Sequence, residues 1–199
     1  MLDADFFRRW MTATAASVER EAQRLTALDS PIGDADHGSN LQRGFIAVVN
    51  VLEKDAPDTP GAVLQLAGRQ LISTVGGASG PLYGTLLRRT GKALGDASEV
   101  SGEQFTDALR AGVDAVMALG GAAPGDKTMI DALVPAVDAL SDSFTAAAAA
   151  AEEGAAATIP LQARKGRASY LGERSIGHQD PGATSSSLLI GALVEASGE

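Results

Sequence analysis

Apolar residues recur along this chain at the three- and four-residue spacing of one helix face, with polar and glycine-rich breaks between the segments. Asp3 caps the first predicted helix, whose inner stripe is Phe6, Phe7, Trp10, Val18, Ala22 and Leu25. The polar run from Leu28 to Gly38 breaks it. A second helix carries Leu41, Phe45, Val48, Val49 and Leu52. Thr59-Pro60 opens a third, with the proline in its first turn, followed by Val63, Leu64, Ala67, Leu71 and Val75. Residues 76–81 (Gly-Gly-Ala-Ser-Gly-Pro) stop it and start a fourth through Leu82, Leu86 and Leu94. Ser101-Gly102-Glu103-Gln104 has the form of a capping box ahead of Phe105, Leu109, Val113, Val116 and Met117. A break from Gly120 to Gly125 precedes a sixth helix, kinked at Pro135. The seventh holds the alanine run 146–151 and extends to about Ala163; Asp180-Pro181 caps the eighth, which runs to Val194. No segment keeps a two-residue alternation between turn signals, so no sheet is expected. The pattern predicts an all-α single domain over residues 1–199, an eight-helix antiparallel barrel or bundle.

Size agrees with one domain. At 20.2 kDa the folded surface should be about 8,800 Å², so roughly 70% of the unfolded chain's surface can be buried. Alanine fills 37 of 199 positions, which favours helices at close approach, and the low-complexity stretch 142–158 reads as an alanine-faced helix packed in this way. The absence of cysteine rules out disulfides, thiolate metal sites and a Cys nucleophile. The chain opens Met1-Leu2-Asp3-Ala4-Asp5, without the apolar region of a secretory signal, and has no apolar stretch of membrane-spanning length. A cytoplasmic protein without a membrane partner is the expectation. A net charge of −9 disfavours nucleic acid as a partner but leaves room for one small anion in a locally cationic pocket.

Four of the breaks are chemically distinctive. The first places Asp29, Asp34 and Asp36 within eight residues, beside Gly33 and Gly38. Such carboxylates repel unless a cation joins them, and an all-oxygen set suits Mg²⁺ or Ca²⁺ rather than Zn²⁺. An EF-hand fails, because its glycine and glutamate positions would fall on Ser39 and Phe45. The bland alternative makes these aspartates turn formers, with Asp36 or Ser39 capping the second helix. The second break, at 76–81, offers glycine backbone and a helix N-terminus to an anion, although it lacks the Lys-Ser/Thr ending of a Walker A loop. The third, Gly125-Asp126-Lys127-Thr128-Met129, opens a helix; on its own, Asp126 would cap it and Lys127 would face solvent. The fourth, residues 163–182, gathers four of 16 basic residues in an acidic chain and favours a phosphate contact. Four such loops, alternating with helices, can converge at one end of a barrel. They would supply carboxylates, helix N-termini and cations, the parts needed to position a nucleotide with Mg²⁺ for phosphoryl transfer.

These runs also carry a family resemblance. Residues 32–40 (Ile-Gly-Asp-Ala-Asp-His-Gly-Ser-Asn), 76–85, 124–129 and 166–183 resemble, in order, the motifs of the nucleotide-binding L subunits of dihydroxyacetone kinases. The resemblance implies the eight-helix barrel with its nucleotide in loops at one end. It implies that Asp29, Asp34 and Asp36 hold two Mg²⁺ ions. His37, Gly38, Ser39, Asn40, Ala78 and Ser79 would contact the ADP or ATP. Gly120, Thr128 and Met129 would line its adenine and ribose side. Arg167 would contact phosphate in the catalytic step, and Asp180, Pro181 and Gly182 would close the pocket. It further implies a homodimer and two partners: a K subunit that holds dihydroxyacetone, and a phosphohistidine M subunit that regenerates ATP from bound ADP using phosphoenolpyruvate. No substrate domain is expected within these 199 residues. Two alternatives stay open: the nucleotide subunit of an ATP-dependent two-component triose or tetrulose kinase, and a regulatory nucleotide-binding partner without transfer activity.

Overall fold

The computed structural model describes residues 1–198. Eight α-helices dominate: α1 (Ala4–Asp29), α2 (His37–Asp55), α3 (Pro60–Thr74), α4 (Ser79–Leu94), α5 (Gly102–Gly120), α6 (Ile130–Ala139), α7 (Phe144–Ala157) and α8 (Pro181–Ser197). Each packs on the next, and α8 returns against α1, so the antiparallel array closes into a barrel. Alternating direction brings the α1–α2, α3–α4, α5–α6 and α7–α8 connections to one end. None of the described helices is long and apolar enough to cross a membrane. The exposed surface, 8565 Å², is close to the value expected from mass.

The caps form largely where the sequence puts them. Asp3 accepts from the Phe6 N–H, Thr59 from Ala62 and Asp180 from Ala183; Ser143, not among the expected caps, accepts from Ala146. Ser101 and Gln104 complete the reciprocal capping box. The stripe of α1 is buried as predicted, apart from half-buried Ala22. Phe7, Trp10 and Phe105 pack edge to face in the core, and the Trp10 indole donates to the Leu189 carbonyl at 2.8 Å. From Trp10 to Asp29 is 19 residues, so this aromatic cluster lies about 28 Å along α1 from the loop end of the barrel.

Small residues set the tightest contacts. Ala147, Ala151 and Ala155 form the buried stripe of α7, as the alanine-faced reading requires. A Cβ at Gly68 of α3 would stand 2.7 Å from the Gly84 carbonyl of α4, so these two helices touch backbone to backbone.

Four expectations need correction. α7 stops at Ala157 rather than near Ala163, and the chain then leaves as a long connection containing a 3₁₀ segment, Arg167–Ser175. α8 continues to Ser197. α6 starts at Ile130, so Gly125–Met129 lies in the preceding loop. Two short strands do form: β1 (Leu2–Asp3) pairs antiparallel with β2 (Glu99–Val100), tying the chain start to the α4–α5 connection.

Candidate functional site

A cavity of about 470 Å³ opens among the four loops at the common end of the barrel. Its acidic corner is built by the end of α1 and the start of α2. Asp29 is the last residue of α1, not a loop residue, and is buried. Its Oδ2 accepts from the backbone N–H groups of Asp36 at 3.0 Å and His37 at 3.3 Å. Asp29 therefore caps α2, while the Asp36 side chain makes no capping bond. That leaves the exposed Asp34 and Asp36 carboxylates turned to the same point, with one oxygen from each of the three aspartates within 4.8 Å of the others. Gly33 makes this geometry possible, because a Cβ there would stand 1.9 Å from Asp29 Oδ1. Three carboxylates at this spacing fit a hard divalent cation.

Arg167, at the start of the 3₁₀ segment, reaches across and pairs with Asp34 Oδ2 at 2.6 Å. Lys165 and Arg167 both line the cavity and place the local positive charge opposite the acidic corner. The N-termini of α2 and α4 open beside them at His37 and Ser79, a favourable arrangement for phosphate oxygens. The far wall is apolar: Leu82, Val116, Leu119 and Met129. Val116 and Leu119 come from α5, and Leu119 is exposed although it is a large aliphatic residue.

A chain of buried hydroxyls backs the site. His37 Nε2 lies 2.8 Å from Ser185 Oγ, and its Nδ1 lies 3.3 Å from Ser79 Oγ. Tyr83 Oη continues the chain to Ser185 at 2.6 Å and Ser186 at 2.9 Å. Burial holds His37 below the usual imidazole range, against the pull of Asp29 and Asp36. Burial likewise pushes the Tyr83 phenol up to about 12. Asp180 is buried at the α8 N-terminus and accepts from Ala183 at 2.7 Å; loss of water pushes its carboxyl up to about 7.

The predicted residues divide in two. Asp29, Asp34, Asp36, His37, Asn40, Ala78, Ser79, Gly120, Thr128, Met129, Arg167, Asp180, Pro181 and Gly182 are all brought to the cavity wall. Gly38 and Ser39 are not among its lining residues. Gly38 faces α1, where a Cβ would stand 1.9 Å from the Ala22 carbonyl, and the Ser39 hydroxyl donates back to Asp36 O at 3.0 Å. Lys127 is the clearest reversal, since it is buried rather than solvent-facing. Asp126 accepts from Ala123 N, while Asp131 takes the N–H groups of Gly125 and Thr128 and so organises this loop. Tyr83, Val116 and Leu119 also line the cavity and the Thr184–Ser187 hydroxyl run backs it, although sequence pattern assigns none of them to the site. That run, polar on an otherwise apolar last helix, was the available signal.

Comparison with known proteins identifies the family. The DAK2 domain family model matches residues 31–195. The ADP-binding subunit DhaL of the PEP-dependent dihydroxyacetone kinase of Escherichia coli (strain K12) is 46% identical, across 96% of this chain and 95% of its own length. The corresponding subunit of dihydroxyacetone kinase 2 of Listeria innocua is 40% identical, over 98% of this chain and 95% of its own. Among solved structures, the dihydroxyacetone kinase from C. freundii in complex with AMP-PNP and Mg²⁺ superposes with a TM-score of 0.78 at 27% identity. The match covers 94% of this chain but only 33% of that kinase, so the present chain spans about a third of its length.

Proposed function

The chain belongs to the DAK2 domain family, and from that premise we propose that it is the nucleotide-carrying subunit of a phosphoenolpyruvate-dependent dihydroxyacetone kinase. In this reading the whole of residues 1–199 is one nucleotide-binding domain. One observation carries the proposal: three clustered carboxylates, two helix N-termini, Arg167 with Lys165, and an apolar wall all face one nucleotide-sized cavity.

Asp29, Asp34 and Asp36 are the residues that would hold Mg²⁺, two ions in our reading, beside the nucleotide's phosphates. The ions would neutralise charge on the phosphates and keep the transferring group in line. Asp29 enters this task already oriented, because two backbone donors fix its second oxygen. His37, held neutral by burial and hydrogen-bonded to Ser79 and Ser185, fixes the start of α2 without adding a charge beside the metal. Gly38, Ser39 and Asn40 continue that first turn, with Gly38 acting by letting α2 approach α1. Ala78 and Ser79 present the α4 N-terminus to phosphate. Gly120, Thr128 and Met129, with Val116 and Leu119, receive the base and ribose. Asp180, Pro181 and Gly182 form the rim at the start of α8. Arg167 leaves Asp34 for the transferring phosphoryl group, where its planar fork can take two oxygens.

The substrate, dihydroxyacetone, is held by a separate K subunit in this scheme. A phosphohistidine M subunit converts the bound ADP to ATP, so that the nucleotide works as a resident coenzyme. The test is reconstitution. The chain, the keto-sugar-binding subunit and dihydroxyacetone are assayed with a phosphoenolpyruvate-driven phosphohistidine donor, and separately with ATP alone. The relay should turn over and ATP alone should not. Equal rates would make the chain an ATP-exchanging subunit, and no turnover with either would make it a nucleotide-binding regulator.

A further inference from the structure

Lys127 has no part in the chemistry just described, yet it is a fully buried cation, 1% exposed, in left-handed backbone (φ 63°). Its ammonium donates to four backbone carbonyl oxygens: Thr158 at 2.9 Å, Leu161 at 3.0 Å, Ser175 at 2.8 Å, and His178. Thr158 and Leu161 precede the 3₁₀ segment, Ser175 ends it and His178 follows it. They form the neck of the long α7–α8 connection, whose tip carries Arg167 to the cavity. The neck is already tied by Gly177 N–H to Ile159 O at 2.8 Å and by Ala163 N–H to Ser175 Oγ at 2.9 Å. Burying an ammonium carries a desolvation cost that an apolar side chain would avoid. Asp180 compensates part of it from a distance. Three N–H donors serving four carbonyls, those of Thr158, Leu161 and Ser175 at 2.8–3.0 Å, make the arrangement of a desolvated monovalent cation, with the lysine stem as tether. The same residue's backbone leads directly into Thr128 and Met129 on the cavity wall.

We propose that Lys127 is a positioning residue: a tethered monovalent cation whose carbonyl cage locks the loop bearing Arg167 against the loop bearing Thr128 and Met129. The proposal rests on the functional reading above only in what the positioned loop serves.

Lys127→Gly is the informative variant, since it opens the cage and also relieves the left-handed backbone. In the nucleotide-free chain, hydrogen exchange of residues 158–180 should accelerate at least tenfold while the α3–α4 amides stay protected. Potassium or ammonium at 100 mM should restore protection, and lithium should not. In the reconstituted assay, kcat should fall on the order of 100-fold, with the KM for dihydroxyacetone within about threefold of the parent, and recover with the same cations. Lys127→Met, which fills the space without charge, should show the same loss but no cation rescue. Exchange that rises evenly over the whole barrel, or lithium and potassium acting alike, would overturn the proposal. So would parent turnover in Lys127→Met. If Lys127→Gly does not fold, potassium or ammonium should restore its helical circular dichroism on refolding, and failure to do so also overturns it. The exchange measurement needs no nucleotide, so it stands or falls independently of the assigned kinase role.

Discussion

The buried carboxyl of Asp180 gives a test whose sign and size both follow from its surroundings. Burial pushes it from 3.8 up to about 7, against the hydrogen bonds from Ala183 and Gly182 and the attraction of Lys127. The folded protein therefore binds this proton more tightly than the unfolded chain. Between about pH 4 and 7 the native state holds more protons than the unfolded one, so this group's contribution to stability falls as pH rises through that window. Three pH units at 1.36 kcal/mol each give a ceiling of about 4 kcal/mol lost by pH 8. Asp180→Asn removes the ionisation and keeps an oxygen for the Ala183 N–H at the α8 N-terminus. It also takes the compensating charge from Lys127, which should reduce the gain to about 2–3 kcal/mol. For a chain of this length that is roughly 5–10 °C in melting temperature. Melting curves of both proteins, free of nucleotide and metal, should nearly coincide at pH 4 and separate steadily to pH 8, with the variant higher. A variant that melts lower at pH 8, with a gap that does not change with pH, would refute the reasoning. It would mean that the carboxylate is stabilised in its ionised form.

Other expectations follow from the same geometry. Asp34→Asn and Asp36→Asn should abolish Mg²⁺-dependent ADP binding by calorimetry while shifting the melt by no more than about 2 °C, since both side chains are exposed. Gly33→Ala should weaken the same binding at least tenfold without removing any acid, because its Cβ displaces Asp29 Oδ1; unchanged affinity would detach Asp29 from the metal. Arg167→Ala should lower kcat on the order of 10²-fold, with ADP affinity reduced less and Lys rescuing only partly, as measured in the reconstituted relay. Protein purified with its nucleotide should lose several degrees of melting temperature when the nucleotide is removed. Readdition of ADP with Mg²⁺ should restore it, since occupancy at 100 times Kd is worth about 2.7 kcal/mol.

Helix existence, caps and core stripes were legible in the sequence because each depends on residues three or four apart. Asp3, Thr59, Ser101 and Asp180 act on N–H groups within their own first turn, and the Phe6–Trp10 and Ala147–Ala155 stripes follow the helical period. The composition of the four polar breaks was legible for the same reason, as were the three aspartates gathered in the first. Tertiary structure decided what those breaks share. The closing contact of α8 with α1 fixes the barrel, and only then do Asp29 and Arg167, 138 positions apart, converge on Asp34. It also decided the fate of Lys127. A lysine in a Gly-Asp-Lys-Thr turn has nothing local to bury it, and its partners are carbonyls 31 to 51 residues away. The apolar wall from Val116 and Leu119 was hidden in a similar way, since a helix period identifies an inward face but not whether that face meets core or cavity. Backbone periodicity is a local property of the chain; where two loops meet, and whether a charge loses its water there, depends on packing between elements distant in sequence.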